Sequence, residues 1–443
     1  MLPLILLVPV QFIFLTGCKQ SSYDSMKSYI DNIKVIDTHS HQGMPWKKKH
    51  NLFDEGLYLH TDLVSAGMPE YSESMQERHD AAEYWDHTES YLRFCRATSY
   101  YTQFMYNYKE LYGMESPDLT KEDFLDYSEK MDRNFKNYEV WLDSGFQKCN
   151  IDIMFSDRVW QPFDTDFNTR YFRYVFRIDE LVLDVSECAI NKKIANEGAL
   201  KLLGLEELSV PDLNAYLSYI DTVIDLVIAH DVVSFKIGLA YHRSINFETT
   251  DPVRAEKLFM QTTFTETERK ELQDYIVSYI VSKSVDHNIP VQIHTGYLHG
   301  NSNLLDRGHP MKLLHFINNN PDAQFILFHG GYPWMGDYIV LGKNYPNVYF
   351  DIVWLPQLSR TAALRTLHEI LDCVPYNKIC WGSDVGYIDD AAGSLELGRE
   401  VVATVLSERI DKGWMTEEIA RDIARRIFRE NAIDIFHLKD YEY

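Results

Sequence analysis

Two rhythms of apolar and polar residues divide this chain. From about Gln42 to Lys148 apolar positions recur at helical spacing without strand alternation, notably over 80–112 and 121–142. From Ile151 onward, short apolar β-type runs alternate with helical segments. The runs lie at 151–155, 171–178, 232–239, 291–294, 325–329, 348–350 and 378–381. Helical segments between them include 212–229, 266–286, 311–319, 362–371 and 397–410. With the run that opens at Val35, there are eight β-type segments in a β–helix alternation. This order predicts parallel strands joined by crossover helices, and eight such units close into a (β/α)₈ barrel. A doubly wound open sheet would show a Gly-rich phosphate loop after its first strand, and none is present. The stretch 42–148 then reads as a large helical insertion after strand one, a lid over the barrel mouth or a subunit interface. A last helix, 416–428, carries Ile419, Ile423 and Ile427 four apart and closes the barrel domain at 33–438.

Composition refines this picture at three points. At 443 residues and 45% hydrophobic, the chain can bury a core of barrel size. Its 29 Tyr, 23 Phe and 8 Trp exceed what most cores use, which leaves room for an aromatic-lined pocket. The formal charge of −23, relieved only at Lys47-Lys48-Lys49, argues against nucleic acid as a partner. Residues 1–17 are uncharged and apolar and end in Leu15-Thr16-Gly17-Cys18. This resembles a bacterial lipoprotein signal, although Lys and Arg are missing from its start. The expectation is cleavage before Cys18, lipidation of Cys18, and an exported protein anchored to the cell envelope. The tether segment 18–32 reads as polar from Lys19 to Ser25 and then as a short helix running into the first strand. The other five cysteines form no C-x-x-C pair, which disfavours a zinc ribbon.

Chemistry in such a barrel gathers at the C-terminal ends of the strands. Strand one ends Asp37-Thr38-His39-Ser40-His41, and residues two apart share one face of a strand. By itself an H-x-H pair is weak evidence in a chain with 16 histidines. Strand four alternates so that Ser234, Lys236 and Gly238 share one face, with Val233, Phe235 and Ile237 towards the helices. Strand five ends at His294, strand six at His329-Gly330-Gly331 and strand eight at Trp381-Gly382-Ser383-Asp384. Any one of these is ordinarily a structural histidine, a helix cap or a paired lysine. Their joint occurrence at five strand ends points to a metal or acid–base site. Arg177 and Asp179 after strand three, Arg243 in Tyr241-His242-Arg243, and His299 with Asn301 after strand five are candidates to touch a small, carboxylate-bearing substrate.

Together, Asp37-Thr38-His39-Ser40-His41, Gln292-Ile293-His294-Thr295-Gly296, Phe328-His329-Gly330-Gly331-Tyr332-Pro333 and Trp381-Gly382-Ser383-Asp384 resemble the amidohydrolase superfamily. Within it they are most similar to the branch of uronate-isomerase-like proteins and glutamine-synthetase-linked domains. Tyr345-Pro346-Asn347-Val348-Tyr349-Phe350-Asp351 and Glu430-Asn431-Ala432 fit the same pattern. The resemblance implies a divalent metal, usually Zn²⁺, held by His39, His41, His294 and Asp384, with Asp384 also taking a proton from the attacking water. It makes His329 an acid–base group or a ligand of a second metal, and Lys236 either a carboxylated bridge between two metals or a contact for a substrate carboxylate. The expected activity is hydrolysis of an amide or ester bond. Decarboxylation or uronate-type isomerisation on the same site is the alternative, and a non-catalytic, ligand-binding surface lipoprotein is the reading from another class.

Overall fold

Eight short strands, each buried on both faces, form the centre of the molecule in the computed structural model, which describes residues 21–42, 57–69, 80–439 and 441. They are β1 (Val35–Ser40), β2 (Ile151–Asp157), β3 (Phe172–Arg177), β4 (Ser234–Ile237), β5 (Val291–Ile293), β6 (Phe325–Leu327), β7 (Val348–Asp351) and β8 (Ile379–Cys380). Each pairs in parallel with the next, giving one sheet in chain order. All eight expected β-type runs are strands, and the (β/α)₈ architecture holds.

The sheet closes where β1 meets the segment after β8. Thr38 N donates to Trp381 O (3.3 Å), Asp384 N to His39 O (2.8 Å) and His41 N to Val385 O (2.8 Å). Strands covered on both faces favour continuous apolar runs. That is why β6 is Phe-Ile-Leu and why β4 packs Phe235 beside Phe176 of β3, ring centroids 6.0 Å apart.

Within the tether segment 18–32, the short helical run expected before the first strand is a helix over Ser22–Asp31 (α1), starting a few residues earlier than read. Ser21 caps it by accepting from Asp24 N (3.1 Å), and Met26 and Ile30, four apart, are fully buried. Lys27 binds Glu396 (3.0 Å) on the long helix Ile388–Asp411, which fixes α1 against the barrel. Tether character therefore gives way to packing from Ser22 onward. The signal stretch 1–17 and Cys18 lie outside the described residues, as does Lys47-Lys48-Lys49.

The described part of the insertion contains α2 (Leu57–Ser65), α3 (Ala81–Cys95), α4 (Ser99–Tyr112), α5 (Lys121–Phe135) and α6 (Tyr138–Cys149). The segment expected to be helical over 80–112 breaks in the middle, because Thr98 caps α4 through Tyr101 N (3.2 Å). Helix α4 then lies against Ile388–Asp411 so closely that a Cβ on Gly393 would come within 2.1 Å of Gln103 O. Only glycine permits that approach. The same helix was expected to begin near 397. It begins at Ile388 because its acidic first turn finds partners: Asp389 accepts from Trp141 Nε1 (3.0 Å) and Asp390 from Asn107 Nδ2 (3.2 Å). No helix of the described residues is long and apolar enough to cross a membrane. The five described cysteines are free.

Candidate metal centre

At the C-terminal end of β1, the period of two brings His39 and His41 to the same side, facing the interior. Their Nε2 atoms converge on one oxygen of Asp384, at 3.3 and 3.1 Å from its Oδ1. The tautomer of His41 is fixed from behind. Its Nδ1 lies 2.8 Å from the main-chain oxygen of Asp157, which can only accept, so this nitrogen carries the proton. Burial opposes a charge on His41, yet the Asp384 carboxylate facing Nε2 raises its pKa: protonated, Nε2 donates to that oxygen, and neutral, it offers a lone pair. His39 Nδ1 is buried without a hydrogen-bond partner. Ligands held about 2.0–2.1 Å from a tetrahedral zinc ion stand roughly 3.3 Å apart, so this spacing suits a cation of that kind.

Asp157, the last residue of β2, closes the group from the other side. One donor atom each from His39, His41 and Asp157 lie within 4.8 Å of one another, a set that can hold a metal ion. The Asp157 Oδ2 atom is 4.0 Å from His39 Nε2 and 3.9 Å from His41 Nδ1. Burial opposes its ionisation, yet the Arg177 guanidinium overrides this and holds the carboxyl at about 2. For Asp384, too, burial is outweighed, here by hydrogen bonds from His39 and His41 that keep it well below the usual carboxylate range. Burial and the nearby Lys236 push His39 down to about 3, which leaves it neutral and able to ligate. Asp157 was missed because the second run was read as ending at Phe155. Two more residues of the same strand carry it to the barrel mouth.

His294 and His329 form a second pair. His294 Nε2 donates to Tyr297 O (2.8 Å), and His329 Nδ1 lies 3.1 Å from Val353 O. Their other nitrogens, His294 Nδ1 and His329 Nε2, face each other at 3.1 Å. Three gaps in this line need three hydrogens, and two neutral imidazoles supply two. The third place takes a proton or a cation. Burial pushes His329 down to about 4 and His294 well below its usual value, so an added proton is costly there. His294, expected as a ligand with His39, His41 and Asp384, faces His329 across this gap and feels the Asp384 charge. Lys236 is 1% exposed, with Nζ 3.5 Å above the centre of the Phe328 ring, and burial lowers its ammonium to about 7.

Two expected substrate contacts are otherwise engaged. Arg177 spends its fork on Asp157, with Nε on Oδ1 at 3.1 Å and Nη2 also bonded, and on Asp179 (3.0 Å). Arg243 pairs with Asp274 and with Gln273 Oε1 (3.1 Å) on helix Glu266–Asp286. Arg177 is buried and Arg243 half-buried, and each guanidinium is paired with a buried carboxylate. His299 does reach the site region, edge-on to Tyr58 (5.2 Å) and 6.4 Å from Trp354. Tyr58 comes from α2 of the insertion, and its hydroxyl donates to the Asp384 main-chain oxygen. The insertion thus supplies part of the wall of the site.

Backbone strain collects here as well. His329 (φ 64), Trp354 (φ 61) and Asp384 (φ 57) are left-handed without being glycine. Such residues persist where the surroundings fix them, typically at functional sites.

Residues 260–438 match the Amidohydrolase family (Amidohydro_2). The chain is similar to Protein fluG of Emericella nidulans, 27% identical over 234 residues, which is 49% of this chain and 27% of that protein. It therefore spans about a quarter of that relative's length. Among solved structures, uronate isomerase from Thermotoga maritima superposes with a TM-score of 0.74 at 14% identity, covering 94% of this chain and 97% of the other. Glucuronate isomerase from Caulobacter crescentus gives 0.73 at 15%, covering 95% of both. A candidate metal-dependent hydrolase from Lactobacillus casei gives 0.64 at 15%, covering 94% and 98%. At these identities the structural likeness establishes the fold.

Proposed function

We propose that this amidohydrolase-superfamily enzyme is a metal-dependent hydrolase that cleaves an amide or ester bond of a small substrate. The observation that carries the reading is the convergence of His39 Nε2, His41 Nε2 and Asp384 Oδ1 within 3.1–3.3 Å, with Asp157 behind them. Imidazole and carboxylate donors suit Zn²⁺. Bound there, the ion supplies Lewis-acid polarisation and lowers the pKa of water to about 7.

The chain's own groups do the rest. Asp384 is held ionised and accepts the proton of the attacking water through its carboxylate. The facing nitrogens of His294 and His329, neutral at rest, take up the proton only in transit, relaying it from Asp384 to the leaving group. Lys236 lies at the base of the site, where its low pKa allows either an amine or an ammonium near neutrality. Anchoring at Cys18 and location in the cell envelope belong to the same proposal. Lipid-precursor label that disappears in Cys18→Ala is the expected result.

The second reading is isomerisation of a uronate, favoured by the two neighbours named as isomerases, which match over nearly their whole length. A panel of N-acyl amino acids, esters, lactones and uronates separates the two. Hydrolysis of an amide, ester or lactone is expected. Turnover of uronates alone would replace the hydrolase with the isomerase. Metal analysis accompanies the panel: His39→Ala is expected to lose the ion, and Asp384→Asn to lose about a hundredfold or more in kcat. Full activity of either variant would refute the assignment.

A further inference from the structure

Helix Ile388–Asp411 starts four residues after Asp384 at the barrel mouth and, with 24 residues, carries the chain about 36 Å away. At its far end a turn leads into helix Glu417–Arg425. This end presents Trp414, 60% exposed, and Ile419, 45% exposed. Trp414 is held in place. Gly413 (φ 71) turns the chain, and Trp414 N donates to Arg409 O (2.9 Å). The ring is flanked by Lys412 Nζ at 4.9 Å and the Arg409 guanidinium at 5.6 Å. A ring fixed this way with most of its surface open suits a boundary between water and an apolar phase, where tryptophan is enriched.

Single exposed apolar side chains are ordinary on any surface, so position decides the matter. Ser22 Oγ donates to Asp411 (2.6 Å) and Ser25 Oγ to Glu417 (2.9 Å), so the first turn of α1 is bonded to both ends of the turn that bears Trp414. Ser21, which caps α1, comes three residues after Cys18. Three residues span at most about 10 Å. A lipid on Cys18 therefore holds the start of α1, and the turn bonded to it, against the bilayer surface.

Charge narrows the kind of surface. Over 409–421, Arg409, Lys412 and Arg421 balance Asp411, Glu417 and Glu418, although the whole chain carries −23. Beside the turn, a cavity of about 570 Å³ between α1 and helix Glu417–Arg425 is lined by Lys34, Arg421, Arg425 and Arg429. Each of these cations is already paired with a carboxylate. The region neither repels headgroup phosphates through excess negative charge nor calls for an anionic lipid. Zwitterionic phospholipid is the partner it fits.

We propose that this end of the molecule docks on the membrane beside the lipid anchor, with Trp414, and Ile419 with it, entering the headgroup layer. The barrel mouth then faces away from the bilayer and takes its substrate from water. The inference rests on the anchoring at Cys18 proposed above and is independent of the choice between hydrolase and isomerase.

Full-length protein is produced in bacteria with a lipid-precursor label, extracted from membranes and reconstituted on phosphatidylcholine vesicles, with and without bromine on the upper acyl carbons. Bromine quenches tryptophan only at contact range. Trp160, three residues beyond Asp157 at the mouth and 69% exposed, marks the opposite end. Quenching of the wild-type emission is expected, with most of it lost in Trp414→Phe and all of it kept in Trp160→Phe. Labelled, vesicle-bound protein that is not quenched, quenching that survives Trp414→Phe, or quenching lost in Trp160→Phe would overturn the docking while the anchor stands. Absence of label at Cys18 would remove the anchor and the docking with it.

Discussion

Arg177, a candidate substrate contact in the sequence, is bonded in the structure to Asp157 of the candidate metal centre. Its guanidinium holds Asp157 by two parallel bonds and Asp179 by a third. Gly238 gives it room, since a Cβ there would lie 1.8 Å from Nη1. Groups that orient ligands typically govern metal affinity by about 10–100-fold. Lysine keeps the charge but cannot make the fork. Arg177→Lys is therefore expected to weaken zinc binding by about tenfold or more, measured by competition with a chromogenic chelator, with the far-ultraviolet spectrum unchanged. Undiminished affinity would show that Asp157 needs no such support. At this scale the sequence revealed His39, His41, Lys236, His329 and Asp384 as inward-facing strand-end residues, because period-two alternation and strand position are local. It concealed the uses of Arg177 and Arg243. Their partners Asp157 and Asp274 stand 20 and 31 positions away, and nothing in a local pattern says which carboxylate an arginine will find.

Among elements, the same division recurs. All eight strands were legible because buried strands are apolar runs bounded by turns. The opening of helix Ile388–Asp411 was not, since its first turn is acidic and its Gly393 weakens the helical signal; both features answer to α4 and α6 of the insertion. A comparable tertiary link fastens the closing segment to the sheet. Arg429 donates to Asp152 (2.9 Å) and to Lys34 O (2.9 Å), and Lys34 binds Asp152 (2.5 Å), joining the starts of β1 and β2. Burial resists ionisation of Asp152, but Lys34 and Arg429 hold its pKa below the ordinary value. A carboxyl whose folded pKa lies below its unfolded one stabilises above the unfolded pKa and loses that contribution as pH falls through the folded value. Asp152→Asn is accordingly expected to cost about 1 kcal/mol at pH 7, discounted for the exposure of Lys34. The difference should shrink below pH 4 and vanish once Asp152 is protonated in both states. Urea unfolding at several pH values measures it, and a gap that does not shrink at all as the pH falls would rule out the ionic origin.

For the molecule as a whole, the position of the cluster matters as much as its composition. A barrel has one seam where its first and last strands meet, and here three main-chain bonds between 38–41 and 381–385 close it. His39 and His41 stand on one lip and Asp384 on the other, more than three hundred residues apart in the chain. An ion shared by them would tie the ends of the barrel together at the point where loop-closure entropy most opposes contact. Metal removal then has a consequence beyond activity. A ligand present at a hundred times its Kd stabilises the folded state by about 2.7 kcal/mol, and that contribution disappears with a chelator. Calorimetry is expected to show a lower Tm for chelated protein, restored by zinc. Hydrogen exchange is expected to rise first at the amides of Thr38, His41 and Asp384, whose bonds make the seam, and to remain low at β4–β6 across the barrel. Uniform loosening of all strands, or none, would separate the metal from the closure of the fold.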